Sequence, residues 1–99
     1  MSLTFDRKVY GYNDLSRSIL FGATDGDDDI QFALPRISLE AHVGHSFNSD
    51  NEMWDAFHAS RDHIEAAAEA YWKSVRDQHF REGTAPPLAT PLVLLNLDA

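Results

Sequence analysis

Apolar residues recur with two different periods along this chain, and the change of period marks out its elements. From position 19 they alternate. Ile19, Phe21 and Ala23 are interleaved with Leu20, Gly22 and Thr24, and Ile30, Phe32 and Leu34 with Gln31 and Ala33. A period of two predicts strands, each with one strongly apolar face. Between the two runs stands Asp25-Gly26, a favoured pair for a type I′ turn, whose central residues both need positive φ. The spacing predicts a hairpin over 16–34. With Asp25-Gly26 as a two-residue loop, Phe21 faces Ile30 and Ile19 faces Phe32. With a four-residue loop over 25–28, Ala23 faces Ile30 and Phe21 faces Phe32. Both even loops stack apolar on apolar, whereas a three-residue loop would set apolar against polar, which a half-buried sheet rejects. Upstream, Leu3 to Phe5 has the character of a short strand, and "GYND" reads as a turn.

Beyond Pro35 the period changes. "ISLEAHV" predicts a short helix over about 37–43, with Ser38 as N-cap and Gly44 as its stop. Ser49 and Glu52 stand three apart, as a capping box requires. They open the dominant element, a long helix over about 50–82. Met53, Phe57, Ile64, Ala68, Tyr71 and Val75 follow one another in steps of three, four or seven and therefore share a face, which Trp54 and Trp72 widen. Glu69 with Lys73, and Asp77 with Arg81, make i,i+4 pairs in the favoured order on the wet side. Gly83 ends the helix. After "GTAPPLATP" comes "LVLLNL", an apolar, β-compatible run that predicts a last strand over 92–97. It would join the hairpin's sheet, in its own chain or in a partner's.

These elements add up to one α+β domain over 1–99: a small antiparallel sheet, made of the hairpin plus terminal strands, covered by one short and one long helix. The long helix raises a question of size. At ~1.5 Å per residue it would run roughly 45–50 Å, in a domain whose radius of gyration should be about 13 Å. A kink near Ser60-Arg61 is open, although no proline or glycine demands one. Unbroken, the helix outreaches its own globule, and the economical cover for the rest of its stripe is a second copy. The residues expected at such a homodimer interface are Trp54, Phe57, Ile64, Tyr71 and Trp72, with Leu92 and Leu94 as a strand edge.

Composition narrows the function classes. A chain of 99 residues is one domain with a thin stability margin, which pairing would improve. It has no cysteine, which removes disulfides, thiolate zinc sites and cysteine nucleophiles together. The N-terminal dozen residues lack the apolar core of a signal peptide, and no apolar run approaches the roughly 20 residues of a membrane span. A cytoplasmic location is the expectation. The net charge of −8 sets the surface against phosphate backbones and anionic lipid, so neither nucleic acid nor a membrane is an expected partner.

Candidate chemistry is sparse. Asp25, Asp27, Asp28 and Asp29 could offer oxygen ligands to a divalent cation, but the twelve-residue EF-hand loop and its closing glutamate are missing. Adjacent strand residues also diverge. The plainer reading is the solvated tip of a hairpin, and Asp25 and Asp27 are weak metal candidates only. His42 and His45 could share one side of a helix and ligate zinc, copper or nickel, yet Gly44 lies between them and no third ligand is evident. The aromatics of the long helix could line a pocket for a flat apolar molecule, although a stripe at helical period is the ordinary packing signal. No nucleophile elbow, phosphate-cradling loop or His-Glu-x-x-His pair is present, and no motif asks for a cofactor.

The order of features resembles a known family. A short N-terminal strand leads into "ILFGATDGDDDIQFALPRISLEA"; a helix carrying "FHASRDHIEAAAEAYW" follows; the chain ends in "LVLLNLDA". In this it is similar, over nearly its whole length, to the small bacterial proteins grouped as domain of unknown function 1488 (DUF1488). The resemblance implies a compact α+β domain and carries over no catalytic residue. The proline-rich connection over 85–91 departs from the pattern. The expected function is that of a non-catalytic interaction or accessory domain, homodimeric through the long helix. The alternative is a module that binds a small molecule or a divalent metal.

Overall fold

A computed structural model describes residues 3–83, 91–94 and 97. The element order is β1 (Thr4–Asn13), β2 (Ser18–Asp25), β3 (Asp28–Pro35), α1 (Arg36–Val43), α2 (Asp50–Ala59), α3 (Arg61–Glu82) and β4 (Leu92–Val93). The hairpin forms in the register of the longer-loop alternative, with Phe21 opposite Phe32 and Ala23 opposite Ile30. Asp25 and Asp28 also pair, so the loop tightens to Gly26-Asp27. Gly26 has φ +64, and Asp27 is not among the residues with positive φ. Positive φ at the first central position alone is the type II′ pattern rather than the expected I′.

β1 is longer than the short strand expected. "GYND" is not a turn: Gly11, Tyr12 and Asn13 pair with Leu20, Ile19 and Ser18. The turn comes next, where Asn13 Oδ1 accepts from the backbone N–H of Leu15 at 2.9 Å and of Ser16 at 3.3 Å. An asparagine that closes its own turn needs no glycine within it. Between Phe5 and Tyr10 the register shifts, and residues 6–9 bulge out of the pairing with β2.

β4 lies beside β3 and runs parallel to it, giving the sheet order β1-β2-β3-β4. The sheet is therefore mixed, not wholly antiparallel as expected. The three helices form the crossover between β3 and β4, and a crossover of this kind returns the chain in the same direction. β4 pairs within its own chain. Leu94 N–H extends it by donating to Ala33 O at 2.8 Å. Of the expected strand 92–97, residues 95 and 96 lie outside the described residues.

α1 begins at Arg36, with Pro35 rather than Ser38 at its N-cap and no side-chain cap bond. A proline just before the first turn gives up no helical hydrogen bond, because its missing N–H lies outside the ladder, while Ser38 sits buried inside the helix. Gly44 stops α1 at φ +89. Ser49 caps α2 by accepting from Glu52 N–H at 3.2 Å, and Glu52 Oε2 answers by accepting from Asn48 N–H at 3.1 Å. The single helix expected over 50–82 is divided at Ser60, whose φ −99 and ψ 11 lie in the bridge region. The bonding is carried across the break: Ser60 N–H donates to Ala56 O, and Ile64 N–H to Ser60 O.

The core lies between one face of the sheet and the helices. Ile19, Phe21, Ile30, Phe32 and Leu34 meet Leu39, Met53, Phe57, Ile64, Ala68 and Trp72, all buried. Five of the seven residues expected at a dimer interface belong to this core: Phe57, Ile64, Trp72, Leu92 and Leu94. Trp54 is half-buried, and Tyr71 is exposed. The break at Ser60 is the physical reason. Two shorter helices can both lie on one small sheet, where a straight rod would overrun it. The molecule measures 45 × 25 × 25 Å, with a radius of gyration of 13.6 Å.

Candidate functional site

The aspartate-rich tip is partly tied down. Asp25 Oδ2 accepts from Trp72 Nε1 at 2.8 Å and from Arg76 Nη1 at 3.1 Å, and the Asp25 side chain is 8% exposed. Trp72 and Arg76 are one helical turn apart on α3, so both reach the same carboxylate. Asp27, Asp28 and Asp29 are exposed. His42 and His45 are not brought together. His42 stacks on His63 of α3 with ring centroids 4.5 Å apart, and His63 Nε2 lies 2.6 Å from Leu97 O. His45 turns instead to Phe47, and its Nδ1 lies 3.1 Å from Ser46 O. Among the described residues, no three His, Asp or Glu side chains converge as a metal site would need.

A charged cluster absent from the sequence reading forms where the β1 bulge meets the start of α3. Arg7, on the bulge, donates to Glu65 at 3.0 and 2.8 Å and to Asp62 at 2.6 Å. Arg61 Nε donates to the same Glu65 carboxylate at 2.8 Å. The Arg61 guanidinium lies 4.8 Å from the Phe57 ring centroid and 5.3 Å from that of Phe21, and the residue is 4% exposed. Burial on its own would push the Glu65 carboxyl up, but the bonds from Arg7 and Arg61 prevail and hold it below its ordinary range. The bonds to Glu65 and then Asp62 raise the Arg7 guanidinium further above its ordinary range. The i,i+4 spacing of Arg61 and Glu65 was open to view in the sequence. The fact that this pair points inward depends on the break before it.

The second feature is the face of the sheet turned away from the helices. Alternation places Leu20, Gly22, Gln31 and Ala33 on it, and pairing adds Gly11 from β1 and Val93 from β4. Two clefts of about 570 and 230 Å³ open here and share Gly22 and Gln31. They follow the gap where β1 leaves the ladder. A methyl group at Gly11 would meet nothing within 4 Å, so the floor is open as well as flat. None of these six residues is charged; towards the hairpin tip the same face continues into Thr24 and Asp29, and Asp29 lines the larger cleft with Asp6. Tyr10 stands at the edge of the smaller cleft and packs on Trp54 at 5.2 Å and on Phe57 at 5.9 Å. No described helix is long and apolar enough to cross a membrane.

Comparison with known proteins agrees with this fold. The family model described as "Protein of unknown function (DUF1488)" matches residues 3–82. The chain is also similar to the crystal structure of a protein of unknown function from the DUF1488 family of Shewanella loihica PV-4. That likeness has a TM-score of 0.64 at 13% identity and covers 96% of this chain and 93% of the other. No curated protein matches the chain. With the family model spanning β1 through α3, and the fold similar to that of a family member over nearly the whole chain, the chain belongs to DUF1488.

Proposed function

We propose that this domain is a cytoplasmic, non-catalytic interaction domain that works as a homodimer, its two copies meeting through the open face of the sheet. The observation that carries this reading is the make-up of that face. A sheet face left to water ordinarily places polar residues at its outward positions. Here those positions hold Gly11, Leu20, Gly22, Gln31, Ala33 and Val93, in a chain of net charge −8. Elsewhere the acidic surface repels a second copy; among the paired positions of this face, charge is confined to Asp29 beside Thr24 at the hairpin-tip end. Two glycines let another sheet approach closely. Thr4 and Thr24, paired at one end, and Asn13 at the other supply a polar rim of the kind interfaces carry. A two-fold axis through Gly22 would set the patch against itself. The helical stripe is a weaker candidate for this role, because Phe57, Ile64 and Trp72 are already covered within the chain.

Light scattering across a concentration series tests the reading. The wild type should show the mass of two chains. Leu20→Glu should show the mass of one with an unchanged circular dichroism spectrum, while Tyr71→Glu on α3 should stay dimeric. A wild type with the mass of one chain at every concentration rejects the dimer. Dissociation by Tyr71→Glu in place of Leu20→Glu moves the interface to the helix.

A further inference from the structure

Among the described residues, Nη1 and Nη2 of Arg61 are the buried side-chain atoms with no hydrogen-bond partner. We infer that this end of the guanidinium recognises the carboxylate of a small apolar acid, which reaches it when the bulge at residues 6–9 lifts from α3. The inference is independent of how two copies associate.

Three contacts fix the guanidinium. Phe57 and Phe21 lie against it, and Glu65 accepts from Nε. That leaves a planar fork of four N–H donors without an acceptor. Buried donors in this state are rare and costly. If Arg61 served only to pack α3 on β2, an apolar side chain of similar volume would do so without burying a charge. The fork matches the two oxygens of a carboxylate, and the flanking rings offer apolar surface to the hydrocarbon behind it. Charge favours a monoanion. Arg7 and Arg61 balance Asp62 and Glu65, so a carboxylate adds one negative charge, whereas a phosphate dianion would add more against two carboxylates already in place.

The bulge supplies the route. Residues 6–9 have no partner on β2. Arg7 fastens them to α3 through the same Glu65 that holds Arg61. The Arg7 side chain is 55% exposed, and ion pairs exposed to this degree hold weakly.

Nuclear magnetic resonance titration of the full chain with sodium benzoate tests the inference, with sodium phosphate and sodium chloride at matched ionic strength alongside. Benzoate alone should give saturable shifts of the backbone amides at 6–9 and 61–65. Arg7→Ala, its latch removed, should bind several-fold more tightly. Arg61→Lys keeps the charge without the fork and should bind on the order of tenfold more weakly. Arg61→Met should lose the shifts; if it fails to fold, Arg61→Lys decides the point. No saturable benzoate shift in either the wild type or Arg7→Ala overturns the inference. So does benzoate binding that Arg61→Lys leaves unchanged, and phosphate producing the shifts in place of benzoate overturns the carboxylate assignment.

Discussion

Asp25 ties the hairpin tip to α3 through a single oxygen, which takes the indole N–H of Trp72 and the guanidinium of Arg76. Asp25→Ala strips the acceptor from both donors, one of them on a buried residue. Unfolding in urea should show a loss of about 1–3 kcal/mol, where Asp27→Ala at the exposed tip should change little. Glu65 makes a prediction about pH. Its folded pKa lies below the ordinary 4.5 because two arginines bond the ionised form. The stability it contributes is therefore fully present above the ordinary value, and is lost as pH falls through the lower folded value. Glu65→Gln should be less stable at neutral pH and should lose less on acidification below 4.5, as paired thermal melts across that range would show. The individual roles of Asp25 and Glu65 were not legible in the sequence, since both depend on partners distant along the chain.

The hairpin and the divided helix show what local chemistry can and cannot specify. The alternation alone limits Phe21 to facing Ile30 or Phe32, because a one-residue slip would turn the whole apolar set to water; the fold takes the Phe32 register. Gly26 holds φ +64 with open space around it. Gly26→Ala should therefore cost about 1–2 kcal/mol through backbone strain alone, with the fold retained in its circular dichroism spectrum. The apolar steps of α2 and α3 never lose phase, so periodicity alone predicts one rod and leaves a kink near Ser60-Arg61 open. The break at Ser60 has no proline or glycine behind it and comes from fitting both segments to one short sheet. Phe57 then belongs to the core, and Phe57→Ala should cost about 3–5 kcal/mol. That loss should be the same at any protein concentration, which denaturation at two concentrations would check.

Taken whole, the molecule is a two-layer α+β domain with helices on one side of the sheet and, on the other, a glycine-floored face whose centre is uncharged. That asymmetry is where association is argued. If the open faces pair, the melting temperature of the wild type should rise with protein concentration by mass action, and that of Leu20→Glu should not. The expectation of a partner came from the length of the helix. Phe57, Ile64 and Trp72 of its apolar stripe are covered within the chain, and the better argument for a partner is the make-up of the sheet's far side. That face was hidden in the sequence because Gly11, Leu20, Gly22, Gln31, Ala33 and Val93 come from four strands and only pairing collects them.

Features that live within a few residues were settled by the chain's own order: the hairpin and the parity of its register, the caps at Ser49 and Gly44, the stop at Gly83, and the helical stripe. Each rests on backbone geometry or on a period that neighbouring side chains enforce. The parallel placement of β4, the break at Ser60, the inward turn of Arg61 and the tether of Asp25 required the assembled fold. They are set by which distant surfaces must share a small core, a constraint that no local pattern records.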